Sequence, residues 1–242
     1  MTPATATLDR LPALGLPELD AALSLQVRAD RKHLLPVPVL DELLEALAPT
    51  HRALEIGGRR AFAYDSVYFD TPELLTARAH TQRRRRRFKC RSRLYVDSGT
   101  CAFELKLRGR RGETVKHRIP YDPADHGTLT PAALAFLAEH LDDVPAMRPA
   151  LRTTYTRSTL AGPAERLTID LGLSFGDAWL RPGWAIVETK SARGAGIADR
   201  ELRRLGSRPL SMSKYLLGTG MTRMPAPPAD TRLVARRYFA HA

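Results

Sequence analysis

Between residues 85 and 95 a cation recurs at every second position: Arg85, Arg87, Lys89, Arg91 and Arg93, with Tyr95 closing the run. Phe88, Cys90, Ser92 and Leu94 fill the positions between. A strand turns successive side chains to opposite faces, so this spacing puts the cations on one face and the other set behind it. The next segment repeats the pattern with a carboxylate in it: Glu104, Lys106 and Arg108 alternate with Phe103, Leu105 and Leu107. Further on, Lys116 and Arg118 alternate with Val115 and Ile119, and Arg166, Thr168 and Asp170 alternate with Leu167, Ile169 and Leu171. Glu188 and Lys190 share a face opposite Val187, and Arg28, Asp30 and Lys32 alternate with Val27 and Ala29. Like charges facing one another destabilise a sheet, and a bound polyanion with a metal offsets that cost. Guanidinium and ammonium groups interleaved with a few carboxylates suit a phosphate chain and a hard divalent cation, Mg²⁺ or Mn²⁺, whose ligands are carboxylate and phosphate oxygens. On any single strand such charges are ordinarily a solvated face; their recurrence on separate strands favours a site.

The elements that must position these groups are strands. Period-two alternation occupies residues 25–34, 62–70, 85–96, 101–108, 114–120, 152–159, 166–173 and 184–191. Helical spacing appears at Val39, Leu40, Leu43, Leu44 and Leu47, again at Ala133, Leu134, Leu137 and Leu141 behind Thr130-Pro131, and in a charged stretch from Ile197 to Leu205. The pattern predicts a mainly β (α+β) fold: a closed antiparallel eight-stranded barrel with the charged face in its lumen and helices packed outside. Asp97-Ser98-Gly99-Thr100 predicts a two-residue hairpin turn at Ser98-Gly99, which sets Arg93 opposite Glu104, Arg91 opposite Lys106, and Cys90 opposite Leu107, away from Cys101. Residues 1–24 read as a flexible leader, 25–224 as the folded domain, and 225–242 as a Pro-rich tail with a basic end.

The chain has 242 residues and is 43% hydrophobic, enough for a real core, which excludes a disordered polycation. Lys and Arg number 38 against 26 Asp and Glu, a net charge of +12 that points to an anionic partner. The N-terminus lacks a basic segment followed by a continuous apolar stretch, and no run reaches the length of a membrane span, so the expectation is a soluble, cytoplasmic protein. Two cysteines are too few for a disulfide scaffold, and the seven histidines show no zinc-type spacing. Gly57-Gly58 and Gly194-Ala195-Gly196 read as turns. Arg83 to Arg87 alone would suit a nucleic-acid patch, but the run continues directly into an alternating strand, and no specific nucleic acid is expected.

In their order, the segments RADRK, YFDTPELLTARAHTQRRRRRFKCRSRLY, FELK, VKHRI, RLTIDLGL, AIVETK and SKYLLG give the chain its likeness. From about Val27 to Thr222 it resembles the catalytic domain of the vacuolar transporter chaperone (VTC) complex, the polyphosphate polymerase branch of the triphosphate tunnel metalloenzymes. The resemblance implies a tunnel barrel, dependence on a divalent metal, and transfer of the γ-phosphate of a nucleoside triphosphate onto a polyphosphate chain, with ATP and polyphosphate as the expected partners. A triphosphatase of the same fold and a non-catalytic binder of polyphosphate or nucleic acid remain as alternatives. Carried over by position, Lys32, Arg91, Arg93, Lys106, Arg166 and Lys214 stand at catalytic places. Arg87, Lys89, Lys116, Arg118, Lys190 and Tyr215 stand at phosphate-binding ones. Where the wider family opens with Glu-x-Glu-x-Lys, this chain has Arg28-Ala29-Asp30-Arg31-Lys32, and Arg28 cannot ligate a metal. The metal shell therefore rests on Glu188, with weaker claims from Asp170, Glu104 and Asp30. Eukaryotic relatives carry membrane helices that this sequence lacks, so attachment to the inner face of a membrane would need a separate protein.

Overall fold

The computed structural model describes residues 3–22, 29–108, 114–192 and 195–242. Residues 25–28, the start of the first expected strand and including Arg28, and Gly194 lie outside the described residues. In chain order the elements are α1 (Pro3–Arg10), β1 (Ala13–Leu14), α2 (Leu16–Ala22), β2 (Ala29–Pro36), α3 (Val37–Leu47), β3 (Arg52–Leu54), β4 (Phe62–Asp70), α4 (Leu75–Thr81), β5 (Phe88–Tyr95), β6 (Thr100–Arg108) and β7 (Thr114–Tyr121). They continue with α5 (Pro131–Ala138), β8 (Arg148–Gly162), β9 (Glu165–Ser174), β10 (Ala178–Leu180), β11 (Trp184–Ser191), α6 (Ile197–Arg204), α7 (Lys214–Thr222), α8 (Ala229–Tyr238) and β12 (Phe239–His241).

The chain divides into two compact units. The first holds Met1–Phe62, Thr156–Leu173 and Leu180–Met212. Here α3 starts at the Pro36-Val37-Pro38 junction, where a fixed φ favours a first helical turn, and buries Leu40, Leu43, Leu44 and Leu47. These leucines pack with Leu35 of β2, Leu167 and Ile169 of β9, Ala185 and Val187 of β11, and Ala198 and Leu202 of α6. One face of β2, β9 and β11 is thereby covered, and Asp30, Lys32, Arg166, Asp170, Glu188 and Lys190 stand on the other.

The expected leader is part of this core. Leu8 and Leu11 pack in the same cluster as α3, and the Arg60 guanidinium donates to the Leu8 and Leu11 carbonyls at 2.5 and 2.7 Å. β1 pairs in parallel with β3, and Leu14 and Leu19 are buried beside Leu54. The segment lacks a clean period because its apolar residues are split between two short helices and a two-residue strand.

The second unit holds Ala63–Tyr155, Ser174–Trp179 and Ser213–Ala242. β4 to β7 form an antiparallel meander whose one face, with Phe69, Cys90, Phe103 and Leu105, is covered by Ala133, Phe136 and Leu137 of α5. Thr130 caps that helix, its hydroxyl accepting from the Ala133 amide at 3.2 Å. Both cysteines are buried and free. The expected tail is also folded: α8 and β12 bury Val234, Tyr238 and Phe239, and the Phe239 ring stacks on Phe175 at 5.7 Å.

The β5–β6 register differs from expectation by one step of the pleat. Tyr95 pairs with Thr100, so the loop is Val96-Asp97-Ser98-Gly99, and Arg91 rather than Arg93 stands opposite Glu104. Val96 and Asp97 are drawn out of the ladder by Ala63, whose carbonyl accepts from Val96 N at 3.0 Å and whose amide donates to Asp97 at 2.6 Å. Gly99, at φ +66°, closes the loop in a conformation that costs glycine little. Parity is kept, so the charged groups still share one face.

Hydrogen bonds link the strands in the order β12-β10-β9-β8-β4-β5-β6-β7, and β11 pairs with both β9 and β2. Among the described residues no ladder joins β7 back to β2, so closure of the expected barrel is not confirmed; the mainly β, antiparallel architecture with helices is. The outer edge of β2 is taken by the chain itself, where Leu210 N donates to the Lys32 carbonyl at 2.7 Å. No described helix is long and apolar enough to cross a membrane.

Candidate functional site

In the first unit, β11 lies between β2 and β9, and the register aligns three rows: Asp30, Lys190 and Arg166; Lys32, Glu188 and Thr168; Leu34, Ile186 and Asp170. Two of these rows place a carboxylate beside an ammonium. The Glu188 carboxylate lies 3.2 Å from Lys32 Nζ and 3.1 Å from Lys190 Nζ. Lys190 Nζ also donates to Asp30 at 3.2 Å, so two carboxylates converge on one cation. Asp170 is committed elsewhere, gripped by Arg157 through Nε at 2.6 Å and Nη2 at 2.8 Å.

In the second unit, Glu104 is the hub. It is 3% exposed and accepts from Arg91 Nε at 2.7 Å and from Lys116, with Arg93 Nη1 at 3.8 Å. Burial alone would raise its pKa, but Arg91, Arg93 and Lys116 outweigh burial and hold it well below the usual carboxylate range. Lys116 is pushed down to about 8 by burial, against the pull of Glu104. Tyrosines fix the two guanidiniums. Arg91 Nη1 donates to Tyr68 OH at 2.6 Å, and Arg93 donates to Ser66 at 3.1 Å and to Tyr155 OH at 3.2 Å. Lys214, the first residue of α7, holds its ammonium 4.7 Å from the centre of the Tyr155 ring, a cation–π contact.

Other expected residues fall around these two hubs. Arg118 stands opposite Glu104 by register, and Lys106 lies between Lys89 and Lys116. Lys89 Nζ donates to Ser213 at 3.2 Å. Arg87 precedes β5 and donates to the Arg84 carbonyl at 2.6 Å.

Tyr215 is not placed to bind phosphate. It is 0% exposed, stacks on Tyr68 at 4.9 Å, and gives its hydroxyl to Asp70. Asp70 in turn accepts the amides of Thr76 and Ala77 at 2.8 and 3.0 Å, so this pair fixes the start of α4. Of the buried histidines, His33 meets Ser207 at 2.9 Å, and burial lowers its pKa to about 4, while His51 lies 3.2 Å from the Glu165 carboxylate.

Arg157, Tyr155, Tyr64 and Tyr68 were not singled out by sequence. Tyr68 and Tyr155 anchor the paired arginines, and Tyr64 lies under the Arg93 guanidinium at 5.4 Å. The alternation of residues 152–159 and of 62–70 already marked their strands; only a cation placed across from each ring would have marked the residues.

Of the four candidate metal carboxylates, Glu104 and Asp170 do not fit a metal, since Arg91 and Lys116 occupy the two oxygens of the first and Arg157 both oxygens of the second. Glu188 and Asp30 meet lysine ammoniums, both at Lys190, rather than a bidentate guanidinium; a Mg²⁺-type ion needs only one or two carboxylates beside substrate phosphates, so these are the two that would hold it. No cluster of three or more His, Cys, Asp or Glu side chains suited to a metal occurs among the described residues.

A family model described as the VTC domain matches residues 27–222. Among solved structures, the putative adenylyl cyclase from Hippeastrum, described as having a dominant triphosphatase activity, is similar at a TM-score of 0.55 and 19% identity, covering 82% of this chain and 98% of that one. A putative adenylate cyclase from Bacillus halodurans is similar at a TM-score of 0.50 and 15% identity, covering 77% of this chain and 94% of that one. At these identities the likeness is one of fold. Comparison with curated proteins returns no match.

Proposed function

The chain belongs to the VTC domain family, and from that premise we propose that it transfers the γ-phosphate of ATP onto the end of a polyphosphate chain. The observation that carries this reading is the pair of carboxylate hubs, each ringed by cations on a strand face: Glu188 with Lys32 and Lys190, and Glu104 with Arg91, Arg93 and Lys116.

Phosphoryl transfer asks a protein mainly for alignment and for charge at the transferring group. A terminal chain oxygen attacks the γ-phosphorus, the bond to the bridging oxygen breaks, and ADP leaves with that electron pair. Lys32 and Lys190 bind phosphate oxygens beside Glu188. On the face of the second unit, Arg91 and Arg93, held in orientation by Tyr68, Ser66 and Tyr155, bind phosphate oxygens as planar forks. Lys106 on β6, Arg118 on β7, Arg166 on β9 and Lys214 at the head of α7 add charge, with Lys89, Lys116 and Arg87 as further phosphate contacts. Glu188 and Asp30 would hold Mg²⁺ or Mn²⁺, which supplies charge neutralisation on the phosphates when bound.

Hydrolysis is the second reading, favoured by the activity described for the Hippeastrum protein; water then replaces the chain end, and the same cations serve. Both readings are separated from a nucleic-acid binder by competition at about 0.15 M salt. ATP and polyphosphate should displace one another, and duplex DNA should displace neither. Stoichiometric displacement of bound ATP by DNA would overturn the proposal.

A further inference from the structure

The run Arg83 to Arg86 plays no part in the reaction as proposed. α4 ends at Thr81, and the chain reverses through Arg83, with Arg83 N on the His80 carbonyl at 3.1 Å and Arg84 N on the Ala79 carbonyl at 2.9 Å. Arg83 sits at φ +54°, a helix-end position that glycine ordinarily takes because a β-carbon is strained there. An arginine is held in that position, and Arg83 to Arg86 are all exposed.

The run leads directly into the charged face of β5. The β5–β6 ladder extends one step beyond the strand, Arg108 N donating to the Arg87 carbonyl at 3.1 Å, while Lys89 stands opposite Lys106. Cations therefore oppose cations at two successive positions, which disfavours the sheet unless an anion lies over them. The crowding registers on Arg87, whose pKa is held below its ordinary value by burial and then by the charges of Arg108 and Arg83. His80 adds no charge, because burial, with Lys89 and Arg87 beside it, lowers its pKa to about 4. Among the described residues Asp142 pairs with Arg86 at 2.7 Å, with both side chains 85% exposed, a contact that solvent screens heavily.

We propose that Arg83–Arg86 and Arg108 form a docking track for the distal part of a polyphosphate chain, beyond the residues that hold its reacting end. This rests on the polyphosphate reading above. Arg91, Lys89 and Arg87 follow one strand face at steps of roughly 6.7 Å, and the exposed arginines Arg83–Arg86 immediately precede that row in the chain. A single narrow row suits a slim linear polyanion better than a duplex, whose phosphates lie in two strands. The track would make the protein select long chains over triphosphate.

The test uses the full chain, the fourfold variant R83Q/R84Q/R85Q/R86Q and the matching fourfold lysine variant, each checked for an unchanged melting temperature. Affinity is measured for long-chain polyphosphate and for tripolyphosphate across a salt series. The glutamine variant should bind the long chain at least about tenfold more weakly, with the slope of log affinity against log salt shallower by roughly 0.7 for each phosphate that the run no longer neutralises. Tripolyphosphate affinity should stay within about twofold, since at most one or two of its charges reach a surface arginine of small individual worth. The lysine variant should restore long-chain binding. Equal losses for both probes, or none for either, would overturn the track. So would duplex DNA displacing the long chain from wild-type protein as effectively as polyphosphate does. Wild-type protein that binds neither phosphate probe overturns the functional reading and the track together, whereas failure of the track alone leaves the functional reading standing.

Discussion

Glu188 on β11 and Lys32 on β2 are register partners, and their charged groups meet at 3.2 Å with only 13% and 25% of the side chains exposed. The same Glu188 oxygen meets Lys190 at 3.1 Å. Replacing the carboxylate by an amide keeps its shape and removes the negative charge that holds Lys32, while Lys190 keeps its contact with Asp30. Glu188→Gln should therefore lower turnover by at least about 100-fold, the scale for losing one charge-stabilising group, while triphosphate binding measured without metal is retained or tighter. Full turnover at saturating Mn²⁺ would remove Glu188 from the metal site.

Glu104 is held by three cations in a site almost closed to water. Glu104→Ala should destabilise the protein by about 3 kcal/mol or more, the cost of leaving buried charge without its partner. Urea unfolding reads this as a lower midpoint at unchanged slope. An unchanged midpoint would mean that the arginines find water at no cost.

Lys116, with its pKa lowered to about 8 chiefly by burial, is charged at pH 7 and loses its proton as pH rises through 8. Its contribution to phosphate binding is present below that pH and lost above it. kcat/KM, which reports the free enzyme, should fall above about pH 8. Lys116→Arg, which stays charged throughout, should move that fall to higher pH. An identical profile in the variant would assign the limb to another group.

Tyr215→Phe removes the hydroxyl that Asp70 accepts. The expected cost is about 1.5 to 3 kcal/mol in stability, the range for hydrogen bonds to charged groups, with triphosphate affinity unchanged. Weaker triphosphate binding at unchanged stability would return Tyr215 to the phosphate site.

How far the site could be read from the chain depended on whether a side chain's place follows from local alternation. Glu188, Lys190, Asp30 and Lys32 share a face because period two requires it, and their pairing across β2 and β11 keeps that face together. The partner of each charge was less legible. Arg91 meets Glu104 only because Ala63 draws Val96 and Asp97 out of the hairpin, a contact 34 residues away in the chain for Asp97. Asp170 looked free for a metal because nothing in its own strand announces Arg157 on β8. Tyr215 follows Lys214 in the motif, yet consecutive helical residues point in different directions, so one meets the Tyr155 ring while the other is buried against Asp70. The terminal segments were unreadable for another reason: α1, α2 and α8 are short, and their few buried residues, such as Leu8, Leu19 and Val234, are too sparse to set a period.

The destination of the γ-phosphorus tests the central claim most directly. With γ-labelled ATP, Mn²⁺ and a short polyphosphate primer, the label should appear in lengthening polyphosphate chains in step with ADP, and Glu188→Gln should abolish its incorporation. Label found entirely in free phosphate, with the primer no longer than at the start, would contradict polymerisation and make this chain a triphosphatase.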